Sequence, residues 1–246
     1  MTGELSEAAV LAAIAFLGAL IFGITGFGAA LVTIPLATHL VPLEFALALF
    51  VLADLAAALS VGLENPKRAL RAEWTRLVPM IFVGTALGVT LLVNLPRAAG
   101  MLLLGIFVLW FAITILVGRA HARIVSPAWA WVAGFAGGIT STLFGAGGPP
   151  YAIYLSQRGL NKEQFRATLG LATLTSISLR LVAFLLTGLL LDPQIWIKAV
   201  AVVPACLIGI WITRKIFLRI SRDALMRAVA LLLLASGASL IFRAVT

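Results

Sequence analysis

The sequence is poor in the residues from which catalytic and metal sites are usually built. It holds one cysteine, Cys206, and two histidines, His39 and His121. A lone cysteine in an apolar run excludes a disulfide framework and any metal–thiolate spacing. Two histidines at the ends of apolar stretches make a Ser–His dyad or a buried metal centre hard to assemble. No Walker or Rossmann glycine fingerprint accompanies a strand and a soluble domain, so ATP-driven pumping by this chain alone is not expected. Neither enzymatic activity, nor a cofactor, nor a metal site is expected. The first residues, MTGELSEAAV, are acidic where a signal peptide needs a basic stretch, so the N-terminus reads as mature protein.

Charge is also scarce. Only 11% of the residues are charged, against about 25% in an ordinary soluble domain. What replaces it is hydrophobicity, at 62% of the chain, with a mean hydropathy of +1.13. A core of this size needs far fewer apolar side chains. The surplus is required only when the outer surface also faces hydrocarbon, so the partner is a lipid bilayer. A net charge of +9 would suggest nucleic acid in a soluble protein. Here the basic residues sit in short runs between apolar segments, as the positive-inside rule expects. No nucleic acid is implied.

A helix needs about 20 apolar residues to cross the bilayer core. Spans are predicted at 45–63, 77–95, 98–118, 168–190, 195–213 and 224–243. Two further stretches, 8–40 and 128–155, are each too long for one span and too short for two. Glycines interrupt both, in GITGFGAA (23–30) and GGITSTLFGAGGPP (137–150). If both crossed fully, basic runs would fall on both faces. If each enters and returns, one face collects Lys67, Arg68, Arg71, Arg76, Arg119, Arg123, Arg158, Lys162, Arg166, Arg214, Lys215, Arg219, Arg222 and Arg227. The other face keeps only Arg97, Lys198 and Arg243, and Arg180 stays within a span. The charge pattern therefore predicts six spans and two re-entrant hairpins, with both termini outside.

The halves echo one another. Gly23-Ile24-Thr25 recurs as Gly138-Ile139-Thr140, Phe27-Gly28-Ala29 as Phe144-Gly145-Ala146, and Val78-Pro79 with Gly84 as Val203-Pro204 with Gly209. The expected organisation is an all-α polytopic membrane protein with two repeats, 1–118 and 128–246, joined by a cytoplasmic linker at 119–127. Each repeat is a Gly-broken hairpin plus three spans. Three is odd, so the second repeat enters the membrane inverted, a plan that places a substrate site at the midplane between repeats. A duplicated bundle with Gly-rich packing faces is the alternative.

The segments GFGAALVTIPL and TLFGAGGPPYAIYL, each opening one half, resemble the paired Gly-rich motif of the sulfite exporter TauE/SafE family. The second copy, with Gly145, Gly147, Gly148 and Pro149, is the better match. In the first, Ala29 and Ala30 stand where glycines are usual. The resemblance implies a secondary transporter of small sulfur-containing or carboxylate anions, such as sulfite or organosulfonates, in a bacterial cytoplasmic (inner) membrane. A passive anion channel and a non-transporting scaffold are the alternatives, and a homo-oligomer is compatible with either.

The residues themselves can support anion binding. Glycines at 145–148 can adopt positive φ and bring backbone N–H groups close to a ligand. Pro149 and Pro150 suit the first turn of a returning half-helix, whose positive N-terminus would point at the midplane. The first break, with Thr25, Gly26, Phe27 and Gly28, would do the same from the other side. Thr140, Ser141 and Thr142 could add hydroxyl donors, beside Phe144. Arg180 lies within a span, where a charge costs about 2.5–3.5 kcal/mol. Thr173 and Ser176 precede it by whole helical turns and share its face. Asp54 is likewise central in its span. Either Arg180 contacts the anion while Asp54 handles a coupling ion, a proton or sodium, or the two form a structural pair.

Overall fold

The computed structural model describes residues 2–62, 66–117, 124–216 and 222–245, excluding the side chains of 2–5, 25, 61, 62, 214–216, 222–228 and 245. All regular structure among these residues is helical. The order is α1 (Thr2–Thr25), α2 (Ala29–Ala37), α3 (Leu43–Gly62), α4 (Arg71–Asn94), α5 (Arg97–Val117), α6 (Trp129–Phe144), α7 (Gly148–Ser156), α8 (Lys162–Leu186), α9 (Pro193–Ile216) and α10 (Arg222–Val245), with a 3-10 turn at Pro66–Arg68. The linker predicted at 119–127 falls largely outside the described residues, as does His121.

Within the described residues, α1, α3, α4, α5, α8 and α9 are long and apolar enough to cross a membrane, and α10 shows a shorter apolar stretch, Val229–Ala244. The helices start earlier than the apolar runs suggest. The run predicted at 77–95 is the end of a helix beginning at Arg71, and that predicted at 168–190 belongs to one beginning at Lys162. Their first turns are polar, and a side-chain cap on α8 shows why the helix starts there. The Asn161 side-chain Oδ1 accepts from the Gln164 N–H at 2.9 Å, and the Gln164 side chain accepts from the Asn161 N–H at 3.3 Å.

Both interrupted segments fold back. The break at Gly26 and Gly28 uses left-handed backbone (φ 80° and 89°), and α2 then runs against α1, its Thr33 packed on Gly18. The arms are unequal. With no breaker before Gly26, α1 continues for 24 residues and is itself long enough to span, whereas α2 has nine. The ends of this segment lie close together, since Lys198 pairs with Glu7 on α1 and sits 5.0 Å over the Phe45 ring of α3. In the second segment Gly145 is left-handed (φ 73°), and α7 returns beside α6. There the Val125 N–H donates to the Gln157 carbonyl at 3.2 Å, so the segment leaves where it arrived.

The packing is reciprocal between the halves: α6 lies along α4, α1 along α9, and α5 along α10. Two of the echoed glycines explain the first two pairings. A Cβ on Gly84 would come within 2.3 Å of the Phe135 carbonyl on α6, and one on Gly209 within 2.8 Å of the Phe16 carbonyl on α1. Small residues let backbones meet, which is the main source of helix association where hydrocarbon is the solvent. At the centre α3 and α8 pack on each other, and Ala46 to Val51 of α3 are buried throughout.

Candidate functional site

The two breaks meet. Gly148, at the start of α7, would place a Cβ 2.5 Å from that of Phe27, and Gly145 one 2.7 Å from the Ala30 Cβ. Only glycine allows the hairpin tips to pass this closely. Between them lies a cavity of about 20 Å³, lined by Phe22, Phe27 to Ala30, Asp54, Ser141, Gly145 to Gly148, Tyr151, Thr173, Ser176 and Ile177. That is room for about one water.

Arg180 borders this cavity, and its guanidinium is fully buried. One Nη donates to Asp54 Oδ2 at 2.6 Å and the other to the Ser141 carbonyl at 2.9 Å. The second bond has a simple cause. Carbonyls at the C-terminal end of α6 carry partial negative charge, which favours a cation there. The Gly145 N–H shares the same carbonyl at 2.9 Å, and the Ala146 N–H takes the Thr140 carbonyl at 3.1 Å, closing the helix end. Arg180 Nε has no partner among the described residues, nor does the Thr173 hydroxyl. Buried polar groups are nearly always satisfied. Of these two orphaned donors the Thr173 hydroxyl belongs to a residue lining the cavity, where it offers a bond to an acceptor.

The two half-helix N-termini contribute unequally. Pro149 and Pro150 remove two amides from the first turn of α7. Ala29 and Ala30, where the first copy of the motif departs from glycine, keep theirs at the start of α2, and both line the cavity. Tyr151 donates its hydroxyl to Ser176 Oγ at 3.1 Å and fixes one wall.

Of the residues expected from sequence, Phe27, Gly28, Asp54, Ser141, Gly145, Gly147, Gly148 and Ser176 line the cavity, with Arg180 at its edge. Several others do not. The hydroxyls of Thr140 and Thr142 donate to carbonyls of their own helix, Gly137 at 3.4 Å and Gly138 at 2.9 Å. Phe144 stacks on Phe107 with centroids 5.0 Å apart, on another side of the hairpin. Pro149 is buried and Gly26 sits in the turn, neither lining the cavity. The side chain of Thr25 lies outside the described residues. Ala29, Ala30 and Tyr151 are additions. The prolines beside Tyr151 signal a helix start, but nothing local announces that this tyrosine reaches α8.

A second buried charge escaped the sequence reading. Glu73 on α4 is 2% exposed and accepts from the Tyr154 hydroxyl, from Arg158 Nη2 at 2.9 Å and from Arg76 at 2.8 Å. Trp74 donates to Thr175 Oγ1 at 3.1 Å and joins α4 to α8.

The sulfite exporter TauE/SafE family profile matches residues 11–240. The chain belongs to this family. The match spans both hairpins and the helices between them, so the TauE/SafE assignment rests on the whole architecture rather than on one motif. Among curated proteins, the probable inner membrane transporter protein TsaS of Comamonas testosteroni is 24% identical over 193 residues, covering 78% of this chain and 81% of that protein. No solved structure matches the chain.

Proposed function

We propose that this TauE/SafE protein is a secondary active carrier of a small anion, a sulfur-containing species such as sulfite or an organosulfonate, or a carboxylate, in the bacterial inner membrane. The observation that carries the reading is the meeting of both Gly-rich breaks with Arg180 and Asp54 around one small cavity. The family name and the naming of TsaS as a transporter support it. Reciprocal packing of the halves supports an inverted repeat, with the anion bound where the repeats join. The basic face is then cytoplasmic and both termini lie outside.

The chemistry is electrostatic and needs no covalent step. Arg180 and Asp54 together are neutral. An added anion would leave an uncompensated buried charge, which is costly at this depth. A proton on Asp54 restores neutrality and frees Arg180 to face the anion, alongside the Thr173 hydroxyl and the amides of α2. Anion and proton then travel together.

Counterflow into proteoliposomes tests this reading. Internal unlabelled substrate should accelerate uptake of labelled substrate, and a panel of sulfite, thiosulfate, sulfonates and short carboxylates will rank the ligands by thermal shift. Flux without trans-stimulation would replace the carrier by a channel. Uptake by Asp54→Asn that kept its dependence on a pH gradient, or that followed sodium instead, would remove Asp54 as the proton carrier.

A further inference from the structure

The two halves differ at one place. Helix α10 packs along α2 and covers the first hairpin, but its counterpart α5 does not pack along α7 in the same way. A groove of about 390 Å³ remains, lined by Trp110 of α5, Trp129, Val132, Ala133 and Ala136 of α6, and Pro150, Ile153 and Tyr154 of α7, with Gln157 just beyond α7 and Val125. Its volume falls in the range of about 300–1,000 Å³ usual for ligand sites. Along α7 it runs from Gln157 to Pro150, about 10 Å at helical rise. The wall is apolar except at the end nearest the basic face.

That end is positively charged. The Arg158 guanidinium lies 5.9 Å over the Tyr154 ring and donates to the Val125 carbonyl at 2.6 Å, so it caps two lining residues. Arg158 and Arg76 share one carboxylate, Glu73, which leaves the cluster with a net positive charge. Among the described residues, the bonds of Arg158 engage Nε and one N–H on each Nη, so N–H groups remain for another acceptor. Arg76, with its side chain 43% exposed, is open to the surface.

We infer that this groove is a binding site for an anionic phospholipid, with one acyl chain between α5 and α7 and the headgroup phosphate at Arg158 and Arg76. An apolar slot that opens to hydrocarbon and ends at a cationic cluster matches both parts of such a lipid. The site is separated from the central cavity by the first turn of α7, which contributes Pro150 to one and Gly148 to the other.

Native mass spectrometry of delipidated protein, titrated with dioleoylphosphatidylglycerol or dioleoylphosphatidylcholine, tests the inference without measuring transport. One phosphatidylglycerol should be retained per chain in preference to phosphatidylcholine. Ala136→Phe, which fills the groove and leaves the charges intact, should abolish that retention. Arg76→Gln should weaken it about fivefold, the size of one basic residue's attraction to an anionic lipid, while Arg158 and Tyr154 still hold Glu73. Equal retention of both lipids, or full retention by Ala136→Phe, would overturn the proposal. So would efficient disulfide cross-linking of Ile153→Cys between two chains, which would assign the groove to a second copy.

Discussion

At the scale of single residues, Arg180 and Asp54 decide most. Each is buried, and each is the other's only charged partner among the described residues. Removing one member of such a pair costs about 3–5 kcal/mol, because the remaining charge stays buried alone. Arg180→Ala should therefore lower the melting temperature and abolish the anion-induced thermal shift. Adding Asp54→Asn to that variant should restore much of the melting temperature and none of the shift. Recovery of both would make the arginine purely structural. His39 offers a test at the opposite end of α10 from the basic face. Burial, and then the charge of Arg243 beside it, hold its imidazole below the ordinary value near 6.5. A lowered value means the unfolded chain binds the proton more tightly. Stability is thus full above about pH 6.5 and falls as the pH drops through and below it. His39→Gln should flatten that part of the melting temperature's pH dependence between pH 7.5 and 5.

At the scale of elements, the two breaks separate strain from contact. Gly26 and Gly145 are both left-handed, a conformation costing about 1–2 kcal/mol for other residues. A Cβ at Gly26 meets nothing within 4 Å, whereas one at Gly145 meets the Ala30 Cβ at 2.7 Å and Arg180 Nη1 at 3.0 Å. Gly26→Ala should lose stability and keep anion binding. Gly145→Ala should lose both, read by thermal shift with and without substrate. The breaks were legible in the sequence because glycine and proline act locally, and the echo between halves supplied their pairing. Other features were not. Nothing near Thr140 or Thr142 shows that their hydroxyls turn to their own helix. Nothing near Glu73 in the chain marks it as buried, because its partners Tyr154 and Arg158 lie in the other half of the chain. The inequality of the first hairpin's arms was not legible, because the apolar run of α1 merges with that of α2 without a polar boundary.

At the scale of the whole molecule, the prediction concerns sides. With Cys206 buried and replaced by alanine, single cysteines at Ser126 and Leu160 should react with an impermeant reagent from the same face. A cysteine at Asp192 should react from the opposite one. Labelling of Ser126 and Leu160 from different faces would sink the re-entrant reading of the second hairpin. This expectation comes from the charge count, since Lys and Arg runs report which loops share a face. It said nothing of the α5–α7 gap, which depends on how far two helices stand apart. The size of the central cavity carries a further consequence. In this conformation the space between the hairpin tips, about one water, leaves no room for a hydration shell around an anion. Dehydration costs rise steeply with charge. The single guanidinium of Arg180 can compensate one negative charge and not two. Selectivity should thus follow the ease of losing water, with monoanions accepted and a compact dianion such as sulfate left outside.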